Sequence, residues 1–148
     1  MTTILPITLT MAGAAAITNL WLAFRCGQVR MQAKIELGDG GNIALTRRMR
    51  AHANFNEYTP IFLILLGLVE LASPGTAGTV LWAVGALFIA SRVLHGLGMD
   101  RAYPNKLRSV GIMLSFLLTL GLAIYAVYLP HGAAGTITAQ GDEVVPAE

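Results

Sequence analysis

Four long apolar stretches divide the chain: Ile4 to Phe24, Tyr58 to Ala72, Ala77 to Ala90 and Val110 to Leu129. None alternates with the period of two that a barrel strand requires, so helices are the predicted spanning form. A transmembrane helix needs about 20 largely apolar residues. The first and last stretches meet that length directly. The middle two reach it only by continuing into polar residues, Ala51 to Glu57 before one and Ser91 to Gly98 after the other. The pattern predicts an all-α integral membrane protein, a bundle of four transmembrane helices over residues 1–130, with a disordered tail over 131–148.

Local signals refine the boundaries. GDGGN at 38 to 42 is a turn signal, and Asn42 is a plausible N-cap for a helix beginning near Ile43. No Gly or Pro interrupts that helix before Pro60, where a kink is expected. Ser73-Pro74-Gly75 closes the second helix with a short turn. The third runs to about Gly98, MDRAYPNK forms a loop, and Pro104 and Asn105 precede the fourth, with Arg108 in its first turns. Small residues in the first and third helices (Gly13 to Ala16; Gly85, Ala86, Ala90) suit close helix approach.

Composition supports the membrane class. Of 148 residues, 55% are hydrophobic and 12% charged, against about 25% charged in soluble domains. Mean hydropathy is +0.63. The first stretch has no Lys or Arg before it, so it lacks a signal-peptide n-region and is expected to be a retained span. All basic residues fall in two places. Arg25, Arg30, Lys34, Arg47, Arg48 and Arg50 lie between the first and second spans; Arg92, Arg101, Lys106 and Arg108 lie at or between the third and fourth. Positive loops stay cytoplasmic, which predicts both termini on the non-cytoplasmic side. No nucleic-acid partner is expected.

The polar residues within the spans carry the chemistry. Arg50, Asn54 and Glu57 share one helix face, which Arg47 extends; His52 and Asn56 form a second stripe. Arg50 and Glu57 are about 10 Å apart along the axis and need other partners. Arg92 and His95 are neighbours on the third helix, and Arg108 and Ser109 open the fourth at the same level. Ionisable groups at membrane depth usually face a protein interior or a wet cavity. Arg25, Lys34, Arg101, Lys106 and Arg48 are read as headgroup contacts. Cys26 is read as packing, Glu70 as a headgroup contact or bundle cap, and Asn19 as an interhelix hydrogen bond. A basic pocket with one acid suits a ligand bearing carboxylates and an ammonium. Glutathione has that pattern, and a nearby Arg would favour its thiolate. A phospholipid or acidic peptide fits the same charges. No metal is called for.

Three segments together resemble the MAPEG family, membrane-associated proteins in eicosanoid and glutathione metabolism. They are GQVRMQ at 27 to 32, RAHANFNE at 50 to 57 and SRVLHGLGMDRAYPNKLRSVG at 91 to 111. Arg50, Ala51, His52, Asn54 and Glu57 complete the family's central motif; Arg92 with His95 and Arg108 with Ser109 match its later ones. The resemblance, of a bacterial-subgroup kind, implies a homotrimer in an inner membrane. It implies a glutathione site at subunit interfaces toward the cytoplasm, lined or braced by Arg30, Arg50, Asn54, Glu57, Arg92, His95 and Ser109. His52 would brace a neighbouring helix, and Arg108 would be catalytic. The implied reaction is thiolate attack on a lipophilic electrophile, or reduction of a lipid hydroperoxide. Ala53, Met99 and Ile112 depart from residues some members carry there, an Arg and two Tyr, which argues against a prostaglandin-synthase-like activity. A non-catalytic lipid- or glutathione-binding protein of the same fold is the alternative. A small multidrug transporter is disfavoured, because Ile4 to Phe24 holds no acid.

Overall fold

The computed structural model describes residues 4–73 and 78–139, with side chains described through His131. The SPGTAG turn at 73–78 lies mostly outside the described residues, as does the tail beyond 139. Four helices follow one another: α1 Pro6–Ala33, α2 Ile43–Ala72, α3 Gly78–Met99 and α4 Lys106–Ala139. Each is long and apolar enough to cross a membrane. The protein is an all-α integral membrane protein.

Two helices extend further than the apolar stretches suggest. α1 continues past Phe24 to Ala33, because nothing in RCGQVRMQA competes with helical hydrogen bonding strongly enough to stop it. Lys34 stops it, in the left-handed conformation, with Ile35 N–H donating to Arg30 O at 3.0 Å. α4 runs through Pro130 to Ala139, so residues 131–139 of the expected tail are helical. A proline inside a helix removes one backbone donor and crowds the preceding turn, yet α4 continues past Pro130.

Asn42 is the N-cap of α2, its Oδ1 accepting from Leu45 N–H at 3.1 Å. Before it, Gly38, Gly40 and Gly41 all take positive φ, which glycine adopts at no steric cost. Asp39 ties this turn to the helix, accepting from Gly41 N–H at 3.0 Å and Thr46 Oγ1 at 2.8 Å. At the other end of the molecule, Glu70 accepts from the N–H groups of Ile7 and Thr8 and from Thr8 Oγ1, at 2.7 to 2.8 Å. It therefore caps the start of α1 and satisfies donors the helix cannot.

α3 packs most closely on α4, and α1 on α2; α2 also meets α3, while α1 and α4 do not touch among the described residues. The main core is built from Ile7, Met11, Phe62, Leu66, Leu81 and Phe88, with Phe62 and Phe88 stacked at 3.6 Å. Lipid is as apolar as these side chains, so van der Waals fit, more than exclusion from water, holds them. Gly85 admits Met11 of α1, as a small residue should, but Gly13 meets nothing within 4 Å. The tightest approaches lie elsewhere. A Cβ at Gly98 would sit 2.3 Å from Arg108 N, and one at Gly111 would sit 2.6 Å from His95 N. Those two glycines let the end of α3 press on the start of α4.

Candidate functional site

The site is built where α2, α3 and α4 meet near the polar ends of α3 and α4. Arg92 lies at its centre, 1% exposed. Its Nη2 donates to Asn54 Oδ1 at 2.5 Å, and its Nη1 donates to Ser115 Oγ at 3.1 Å. Ser115 Oγ also lies 2.7 Å from Ser91 Oγ. One guanidinium thus links three helices. It orients Asn54 with the oxygen inward, which leaves the amide nitrogen to donate outward. His95 Nδ1 lies 3.2 Å from Arg108 O; since a carbonyl only accepts, Nδ1 is the donor. Asn105 Oδ1 caps the first turn of α4, accepting from Leu107 N–H at 2.9 Å and Arg108 N–H at 3.2 Å. Arg108 is therefore placed by its backbone, while its side chain stays exposed.

A cavity of about 160 Å³ opens here, lined by Arg50, Asn54, His95, Met99, Arg108 and Ile112. Residues from α2, α3 and α4 converge on it although 58 positions of sequence separate Arg50 from Arg108. Met99 and Ile112, where some members of the resembled family carry Tyr, are both on its wall. Among the described residues, both side-chain ion pairs run to Asp100. The Arg50 and Arg108 guanidiniums are thus free to meet an anionic ligand.

The remaining candidates lie apart from this cavity. Arg92 is behind it, holding Asn54. Glu57 is exposed and does not line it. Ser109 turns its hydroxyl back to Asn105 O at 3.3 Å. Arg30 belongs to a separate groove between α1 and α2, of about 520 Å³, with Cys26, Met49, His52 and Asn56. There His52 Nε2 lies 3.2 Å from Asn19 Oδ1, and Asn19 also bonds Asn56.

Two expectations need correction. Arg25 is not a headgroup contact: it is 8% exposed, pairs with Asp100, donates to Gly96 O at 3.3 Å and lies 4.5 Å from the Trp21 ring centre. Arg48 likewise turns inward, donating to Arg25 O at 2.8 Å, with its Nε 3.4 Å from Asp100 Oδ1. Position near a helix end suggested snorkelling, but an acid at the end of α3 offered better partners. Asp100 was overlooked because it sits in a loop; its place directly after the last turn of a span rich in basic neighbours was the available signal.

Comparison with known proteins gives a consistent picture. The Inner membrane protein YecN of Escherichia coli (strain K12), and that of Escherichia coli O6:H1, are each 31% identical over 87 residues. The match covers 57% of this chain and 63% of each relative, so the chain spans less than two thirds of their length. The model of the MAPEG family matches residues 8–128, a region that reaches into all four helices and holds every residue of the cavity. The chain belongs to the MAPEG family.

Proposed function

We propose that the protein is a membrane-embedded glutathione transferase or peroxidase acting on lipophilic electrophiles or lipid hydroperoxides. One observation carries this reading: Arg50, Asn54 and Arg108 line one cavity, and neither guanidinium has an acid partner among the described residues. Two cations and an amide donor suit carboxylates. Glu57, on the same face of α2, suits the ammonium. Arg108 stabilises the glutathione thiolate, the nucleophilic form. In conjugation the thiol proton leaves to solvent, the thiolate forms a C–S bond, and the electrophile's leaving group departs. In peroxide reduction the thiolate attacks the O–O bond, and a second glutathione completes the disulfide, yielding an alcohol and water. Both reactions draw the second substrate from the bilayer.

The volume supports a shared site. Pockets that enclose small ligands hold about 300 to 1,000 Å³, and this cavity holds about 160 Å³. One chain grips part of the ligand. Arg30 lies in the α1–α2 groove, away from Arg108, so a neighbouring copy must bring the two together. A homotrimer with interfacial sites satisfies this. The inner membrane of a bacterium, with the site toward the cytoplasm, fits the basic residues at that end and the relatives' printed name.

The apolar wall of Met99 and Ile112 favours one alternative, a non-catalytic lipid- or glutathione-binding protein of the same fold. The test is titration with glutathione while following thiolate absorbance, for the wild type and Arg108→Ala. The expected result is a thiolate signal that Arg108→Ala loses. Absence of binding by the wild type would sink the enzyme reading, and co-purified phospholipid would then favour the alternative. A mutant with an unchanged signal would remove Arg108 from its role.

A further inference from the structure

Asp100 stands at a junction that the proposed chemistry does not use. Its carboxylate pairs with Arg25 of α1 through Oδ2 and approaches Arg48 Nε of α2 at 3.4 Å through Oδ1. Arg25 is nearly buried, its face on Trp21, and its Nη1 donates to Gly96 O. Gly96 carries one of the last carbonyls of α3, which no further turn of helix can satisfy. A cation there also favours the helix dipole. Arg48 closes the ring by donating to Arg25 O. Three helices are joined around one acid.

A partly exposed ion pair is weak evidence for stability, because solvent screens the attraction and desolvation of the buried partner offsets it. Its geometry, however, is specific. Two residues before Asp100 is Gly98, whose backbone presses on Arg108 N so closely that no Cβ fits. One residue before it is Met99, a wall of the cavity. One turn earlier is His95, which bonds Arg108 O. The last turn of α3 is thus held from one side by Asp100 and supports the backbone of Arg108 from the other.

We propose that Asp100, held between Arg25 and Arg48, is a positioning residue that fixes the last turn of α3 and thereby sets where the Arg108 guanidinium stands in the cavity. The role at the thiolate rests on the glutathione reading; the mechanical role does not. The acid acts through α3 and never touches the ligand.

Asp100→Asn keeps the size of the side chain and removes its charge. Two measurements on the purified full chain judge it. The first, without glutathione, is hydrogen–deuterium exchange at residues 106–112. The second is the pH titration of bound glutathione thiolate. Asp100→Asn is expected to speed exchange in the first turn of α4 while residues 59–69 exchange as before. It is also expected to raise the apparent thiol pKa by about one unit, a roughly tenfold lower thiolate-to-thiol ratio at a given pH, with glutathione affinity little changed. Arg25→Lys, which keeps a cation opposite Asp100, should show the same two effects more weakly than Asp100→Asn. If Asp100→Asn loosens the whole bundle, Arg48→Ala, which leaves the Arg25 pair in place, is judged by the same two readings. Wild-type exchange at 106–112 overturns the proposal whether or not glutathione binds. Faster exchange with an unshifted thiol pKa overturns the positioning role at the thiolate. If the wild type binds no glutathione, the functional reading fails, and the exchange measurement still decides the mechanical one.

Discussion

Single residues here act mainly by orienting other residues. Arg92 is too buried to meet a ligand, yet it decides which way Asn54 points. A lysine offers a compact ammonium in place of a planar fork and cannot hold Asn54 and Ser115 together. Arg92→Lys is therefore expected to weaken glutathione binding by about tenfold, ~1.4 kcal/mol, measurable by calorimetry; unchanged affinity would show that Asn54 needs no brace. Asp39 does similar work outside the membrane. The Gly41 N–H, then the Thr46 hydroxyl, hold its carboxyl below its ordinary value. A group with a depressed folded pKa contributes stability above its unfolded pKa and loses it as pH falls through the folded one. The 38–42 turn should thus loosen as pH falls below about 4. Amide exchange at Gly41 should rise there beyond its intrinsic pH dependence, and in Asp39→Asn should be raised already at neutral pH.

Among elements, the α3–α4 seam is the most constrained. Gly98 and Gly111 leave no space for a methyl group, and the atoms in the way are backbone. Overpacking of this kind costs about 1 to 3 kcal/mol. Gly98→Ala and Gly111→Ala should lower the unfolding midpoint in detergent by that order and reduce the thiolate signal. Gly121→Ala, on the same helix with nothing within 4 Å, should be neutral or slightly stabilising. Equal behaviour of the three variants would mean that the seam does not hold the site. At the opposite end, Glu70→Ala removes the acceptor for three donors at the start of α1. A loss of about 2 kcal/mol is expected, read as faster exchange in the first turn of α1.

For the whole molecule, polar groups that a lone chain leaves exposed at the edge of the membrane call for cover. Arg50, Asn56 and Glu57 are exposed on α2, and such groups are costly in lipid. A second copy placed against α2, as the proposed shared site requires, would cover them. Native mass spectrometry in mild detergent should therefore find more than one copy, and three on the proposed homotrimer; a monomer that still binds glutathione fully would exclude the shared site. Orientation is tested separately. A phosphatase fused at the C-terminus should be active outside the cytoplasm, and an active cytoplasmic reporter there would reverse the topology.

The sequence by itself determined the four helices, because their apolar runs and turn residues are local signals. Asn42 as a cap and the helical continuation of α2 through RMRAHANFNE were legible for the same reason. The central motif was legible too, since Arg50, Asn54 and Glu57 share a face by helical period alone. What the period cannot say is which neighbour each side chain finds. Only the tertiary structure decided that Arg50 and Asn54 meet Arg108 while Glu57 and Arg30 lie apart. Only packing turned Arg25 and Arg48 inward, toward an acid 75 and 52 positions away. Spacing along one helix fixes a direction; a contact between helices depends on how closely their backbones approach, and here glycines at the α3–α4 seam set that distance.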